Sequence, residues 1–184
     1  MRRSVDIDAT RDKHARVSRR RKGECVFIIA PVGQDAETMA ALLEAEGFET
    51  QICRKLDEHF GRITDDAGAL LVTEEALASA EGSLLMDLLK AQPPWSELPL
   101  IILTSGGESR RVGLLNVAAR AAGSVTLLER PISTLTLLRS VQVALRSRRR
   151  QYHVRDLVTQ LASLNRVSPR TKWLTIAKLV LNST

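Results

Sequence analysis

The polar side chains best placed for chemistry sit directly behind short apolar runs. Thr73-Glu74-Glu75 follows Ala69-Leu70-Leu71-Val72, and Thr104-Ser105 follows the run from Leu98 to Leu103. Glu129-Arg130-Pro131 follows Val125 to Leu128, and Ala30-Pro31 closes Cys25 to Ile29. Three of these sites offer carboxylates, hydroxyls or a guanidinium, the groups that meet a charged ligand. Ala30 and Pro31 offer no ligating side chain. The remaining reactive residue types are scattered. His14, His59 and His153 share no segment, and a surface or packing role suits His59 on its predicted helix. Cys25 and Cys53 have neither metal-ligand spacing nor a disulfide-rich context. Ser105-Gly106-Gly107 lacks the spacing of a phosphate-cradling loop, and nothing forms a nucleophile–base–acid set.

The elements that must position these groups alternate. Cys25 to Ala30 is a continuous apolar run closed by Pro31 and Gly33, the pattern of a strand covered on both faces. Residues 35–46 read as a helix with Met39, Leu42, Leu43 and Ala45 on one side, ending at Gly47. Strands are predicted at 49–53, 69–72, 98–104 and 125–128. The helices between them fall at 55–63, 82–91 and 108–122, and a fifth runs from Ser133, its cap, to Arg149. Five strands alternating with five helices predict an α/β doubly wound, five-stranded parallel sheet, and ligands in such sheets bind outside the carboxyl ends of the strands.

Three segments carry a resemblance. Leu42-Leu43-Glu44-Ala45-Glu46-Gly47, Leu98-Pro99-Leu100-Ile101-Ile102-Leu103-Thr104-Ser105 and Leu128-Glu129-Arg130-Pro131-Ile132-Ser133 occur in the order found in receiver domains of two-component response regulators. Over about residues 25–145 the chain resembles that family, which implies a flavodoxin-like fold of receiver type. The resemblance also implies a phosphoryl-transfer pocket. An acidic pair after strand one binds Mg²⁺, a hard ion that takes oxygen ligands. An Asp after strand three accepts the phosphoryl group, helped by a hydroxyl after strand four and a Lys after strand five. This chain keeps Thr104. It has Ala30 and Pro31 in place of the acidic pair, and Arg130, with its different donor geometry, in place of Lys. The aromatic position on strand five is Leu127. The acceptor position falls on Thr73 if the apolar run marks the strand end, and on Glu74 if the family spacing is counted back from Thr104. Either way the resemblance implies a degenerate pocket without Mg²⁺, a pseudo-receiver that signals by binding. The alternative is a working phosphoacceptor using Glu74, Glu75 or Asp35.

Charge divides the chain into three. Residues 1–23 hold nine Lys/Arg against three Asp, a net +6; residues 24–138 hold eight against seventeen acids, −9; residues 139–184 hold ten against one, +9. The basic character therefore belongs to the ends. Residues 1–23 read as a basic disordered arm. A DNA-binding accessory role through both ends is a third reading, and the lack of interleaved aromatics and of any reading motif speaks against nucleic acid. With 44% hydrophobic and 3% aromatic residues, the core of the 24–146 domain must be aliphatic. No apolar run reaches the roughly 18 residues of a membrane span, and no apolar stretch follows the charged start as in a secretory signal. A cytoplasmic protein is expected.

Beyond Arg146 the helix is expected to continue through 147–166 as an extension or linker. Tyr152, Val154, Leu157, Val158 and Leu161 follow helical spacing and are read as an interaction face for a histidine kinase, another signalling protein or a second copy. The segment Arg148 to Leu157, taken with Gln92-Pro93-Pro94-Trp95, resembles the receiver-like N-terminal module of bacterial sensor histidine kinases, without kinase motifs after it. Ser168-Pro169 then breaks the pattern. The stretch 167–184, with Trp173, Ile176, Ala177 and Val180, reads as a short basic amphipathic tail, either a docking helix or the scar of a truncation.

Overall fold

The computed structural model describes residues 22–119 and 121–166. Of the predicted arm, only Lys22 and Gly23 fall among the described residues, and the 167–184 tail lies outside them. Five parallel strands, β1 (Cys25–Ile29), β2 (Glu49–Ile52), β3 (Ala67–Thr73), β4 (Leu100–Thr104) and β5 (Val125–Glu129), form one sheet in the order β2-β1-β3-β4-β5. The helices are α1 (Asp35–Ala45), α2 (Phe60–Asp66), α3 (Glu74–Leu77), α4 (Ala80–Lys90), α5 (Glu108–Ala119) and α6 (Thr134–Arg166).

The three central strands are buried along their whole length, which is why they are written as unbroken apolar runs. Successive side chains alternate between two layers. Phe27, Leu70, Val72, Leu100 and Ile102 meet Ile63 of α2, Leu85, Leu88 and Leu89 of α4, and Ala118 of α5. Val26, Ile28, Ala69, Leu71, Ile101 and Leu103 meet Ala36, Met39 and Leu43 of α1 and Leu137, Val141 and Leu145 of α6. The edge strands β2 and β5 are only partly buried and carry the polar residues Thr50, Gln51 and Thr126.

The structure corrects three sequence expectations. The second helix starts at Phe60 rather than residue 55: Leu56 is buried, its N–H donates to the Glu81 carboxylate at 3.1 Å, and a 3-10 turn intervenes at Asp57–His59. Strand three begins two residues earlier than the apolar run, because Gly68 sits where the pairing register of β1 and β3 shifts. A Cβ at Gly68 would lie 2.4 Å from the Gly23 carbonyl oxygen and from Leu145, so only glycine fits there. The single turn α3 was not expected, since four residues carry no readable period. Further along, α6 runs unbroken for 33 residues, about 50 Å, past the domain boundary expected at residue 146.

Candidate functional site

The carboxyl ends of β1, β3, β4 and β5 meet at one edge of the sheet. β3 pairs with β4 so that Thr73 lies beside Leu103, and β4 pairs with β5 so that Thr104 lies beside Glu129. Thr73 and Glu74 therefore leave the strand toward different sides. Glu74, the first residue of α3, is 7% exposed and turns toward β4. The Thr104 hydroxyl donates to Glu74 Oε2 at 2.7 Å, and the Ser105 hydroxyl donates to Glu74 Oε1. Two hydroxyl donors offset much of the cost of burying this carboxylate. The Thr73 hydroxyl is also buried, but has no hydrogen-bond partner among the described residues. The tertiary structure thus brings Glu74, and not Thr73, to Thr104.

Arg130 follows β5 and precedes a cis Pro131. Its Nη2 lies 3.0 Å from Asp35 Oδ2 at the start of α1, and its Nη1 lies 3.5 Å from Glu75 Oε1. The Asp35 contact is an ion pair by distance and lacks hydrogen-bond angles, since Nη2 has no hydrogen-bond partner. Ala30 is half-buried and Pro31 exposed. Three carboxylates of the mouth are thereby already engaged, Glu74 by hydroxyls and Asp35 and Glu75 by one guanidinium.

The interaction-helix residues divide. Val154, Leu157, Val158 and Leu161 are exposed, by 58%, 44%, 60% and 62%. Tyr152, expected among them, is instead buried against the domain. Its hydroxyl donates to the Asp65 carbonyl at 3.2 Å and its ring stacks at a tilt on Trp95, centroids 5.4 Å apart. It packs inward because Arg148, one turn earlier, is only 1% exposed and draws α6 onto the amino end of the sheet. Arg148 Nε donates to Ala67 O at 3.2 Å, and Nη1 donates to Ser96 Oγ and to Gln151 Oε1, both at 2.8 Å. Its guanidinium lies 5.5 Å from the Trp95 ring and 4.7 Å from the Tyr152 ring, and Arg155 stacks on the same two rings at 4.9 and 4.7 Å. Burial pushes the Arg148 pKa down from its ordinary value, with Tyr152 working the other way.

Sequence reasoning missed Arg148 as a packing residue. It sits in a run of three arginines whose other two are exposed. One signal was present: Gln92-Pro93-Pro94-Trp95 and the Arg148 segment, noted together for their resemblance, touch through Trp95, Ser96 and Gln92, whose Oε1 accepts from Ser96 Oγ at 3.0 Å. Of the scattered residues, His59 Nδ1 is 3.1 Å from the Lys55 carbonyl. Cys25 and Cys53 are buried free thiols, and burial pushes Cys53 up to about 12.

Solved structures share this arrangement. The response regulator StyR matches with a TM-score of 0.65 at 22% identity, over 83% of this chain and 76% of that one. The chain has a response-regulator receiver fold. The receiver domain protein of Methanospirillum hungatei JF-1, described as CheY-like, matches over 70% of this chain and 98% of its own, with a TM-score of 0.53 and 18% identity. Full-length FixJ from B. japonicum matches over 83% of this chain and 72% of its own, with a TM-score of 0.56 and 18% identity. In sequence, the chain is 32% identical over 119 residues to the phosphate regulon transcriptional regulatory protein PhoB of Rhizobium meliloti (strain 1021). That match covers 62% of this chain and 51% of the relative, so the chain spans about half the length of that protein. No family model matches the chain. Within the receiver fold, no described helix is long and apolar enough to cross a membrane.

Proposed function

We propose that this receiver is a signalling module of a two-component system that works by protein–protein contact and does not pass a phosphoryl group through the usual pocket. The observation that carries this reading is the state of the mouth. Glu74 occupies the acceptor corner with both carboxylate oxygens taken by Thr104 and Ser105, while Arg130 engages Asp35 and Glu75. The residues do not fit a Mg²⁺ ion. Ala30 and Pro31 bring no oxygen-bearing side chain, and a guanidinium stands between two of the available carboxylates. In-line transfer to Glu74 would also require breaking two hydroxyl bonds to a buried carboxylate. Glu74 thus stands as a longer acid against Thr104 at the corner where the resemblance implies an Asp.

The contact surface of the reading is the outer half of α6. A solitary helix is marginal in water unless it buries an apolar face, and Val154, Leu157, Val158 and Leu161, at i, i+3, i+4 and i+7, form such an exposed face. Val154 and Val158 share a groove with Trp95 that is rimmed by Arg150 and Arg155. A histidine kinase, another signalling protein or a second copy of the chain would cover it.

The test of the pocket is intact mass after incubation with acetyl phosphate and Mg²⁺. Unchanged mass is expected, and a phosphoryl adduct on Glu74 or any other residue of the mouth would overturn the reading in favour of an atypical phosphoacceptor.

A further inference from the structure

A cavity of about 240 Å³ opens near the amino end of the sheet, lined by residues of α2, α4 and the 92–98 loop, with Arg148 of α6 on its wall. Ile63, Leu88 and Leu98 give it a buried apolar lining. Phe60 and Trp95, which also line it, are 45% and 36% exposed and bring two aromatic rings to its outer side. Protein interiors pack as densely as organic crystals, so a space of this size beside a buried cation is an unusual feature of the domain.

The cation is the second observation. Arg148 is 1% exposed, and every acceptor it meets is neutral: Ala67 O, Ser96 Oγ, Gln151 Oε1 and, at 3.4 Å, the Tyr152 hydroxyl. A further N–H on Nη2 has no acceptor among the described residues. Asp65 is the acid among the lining residues, and it forms no ion pair with Arg148; its carbonyl accepts the Tyr152 hydroxyl. A buried charge held by neutral groups alone is less well compensated than one with a counter-ion. The counter-ion that matches a guanidinium best in charge and planar geometry is a carboxylate. The guanidinium is also held in place beforehand, by its hydrogen bonds and by the Trp95 and Tyr152 rings, so a ligand meeting it loses little to ordering.

We propose that this cavity is a binding site for a small aromatic carboxylate, its acid group on Arg148 and its ring among Ile63, Leu88, Leu98 and Trp95. Mostly apolar walls with a few convergent polar groups are the usual make-up of a small-molecule site. The volume lies below the roughly 300–1,000 Å³ of sites for drug-sized molecules, which limits the ligand to one ring with a short acid arm. Ring faces on Phe60 and Trp95 favour an aromatic body over an aliphatic one. The site stands apart from the mouth at the carboxyl edge. Trp95 is the wall it shares with the groove of Val154 and Val158.

The experiment is isothermal calorimetry of the full chain with phenylacetate, and with phenylacetamide as its uncharged isostere. One phenylacetate per chain is expected, with a Kd below about 1 mM for a ligand of this size. Phenylacetamide should bind at least about tenfold more weakly, the usual worth of a hydrogen bond to a charged group. Ala91 lines the cavity, and A91F should fill it and weaken phenylacetate by at least about tenfold, while circular dichroism and the unfolding midpoint hold. Should A91F fail to fold, location is read from W173F, which leaves Trp95 as the sole tryptophan. Its emission should follow the phenylacetate isotherm. No phenylacetate heat at millimolar ligand, equal affinity for the amide, a folded A91F that binds like the parent chain, or a Trp95 emission indifferent to the ligand would each overturn the proposal.

Discussion

Both ends of the sheet bury a charged side chain, and they satisfy it in opposite ways. At the carboxyl edge, Glu74 is held by hydroxyls, and the one cation, Arg130, is shared by Asp35 and Glu75. At the amino edge, Arg148 is more deeply buried and accepts no carboxylate help among the described residues. A carbonyl, a serine, a glutamine and two aromatic rings hold it. At the first end the cation is taken up by two acids, and the buried acid by hydroxyls. The second binds an extra helix to the domain and leaves a surplus of positive charge around it. On the proposed reading, output leaves through α6 rather than through the pocket.

The strongest way to break that comparison is at Arg148. Removing its guanidinium in Arg148→Met takes the side-chain donor from Ala67 O, leaves Ser96 Oγ with Gln92 alone and uncouples α6 from the base. A loss of about 3 kcal/mol in denaturant unfolding is expected, and a loss below about 1 kcal/mol would mean the latch is incidental. At the opposite end, Glu74→Gln keeps shape but weakens two hydroxyl bonds, and about 1–2 kcal/mol is expected. A cost equal to that of Arg148→Met would erase the difference drawn here.

The apolar face tests the direction of output. If α6 carries contacts, L157S/L161S should lower the solution mass measured by light scattering, or abolish capture of a kinase partner, while the unfolding midpoint of the domain holds. Both residues are exposed, so a large shift in midpoint would place them in the core instead. A chemical gain sharpens the other half. A30D/P31D/E74D adds two carboxylates to the mouth and shortens a third, and Mg²⁺-dependent labelling by acetyl phosphate should appear in that variant and not in the parent chain.

The smallest effect concerns pH. Cys53 has its folded pKa raised from 9.0 to about 12 by burial, with Cys25 and Glu81 adding to the shift. Between those values the unfolded chain gives up the thiol proton and the folded chain keeps it. Stability is thus full below pH 9.0 and falls toward about 12, with a slope approaching 1.4 kcal/mol per pH unit from this group. Cys53→Ala should flatten that part of an alkaline unfolding curve, and an identical curve would show that the thiol is not protected.

Most of the fold was legible because burial on both faces writes itself as unbroken apolar runs. Cys25–Ile29, Ala69–Val72 and Leu100–Leu103 are such runs, and the strands lie where they are. The departures came where a contact distant in sequence decided local geometry. Glu81 drew the Leu56 amide out of the second helix, and the close passage of Gly23 set the bulge at Gly68. The candidate site was half legible. Ala30, Pro31, Thr104 and Arg130 were identifiable by position behind their strands, whereas the choice between Thr73 and Glu74 was not, because a one-residue step in a strand reverses the direction of the side chain.

The sequence by itself determined the alternating α/β order, the lack of ligating side chains at Ala30 and Pro31 and the uneven charge, since each is a property of residue type along the chain. Only the tertiary structure decided that Glu74 rather than Thr73 meets Thr104, and that Arg148 turns inward while Arg149 and Arg150 turn out. Those outcomes depend on strand register and on which face of α6 is pressed against the sheet. Register and facing are set by contacts between residues dozens of positions apart, and no local pattern encodes them.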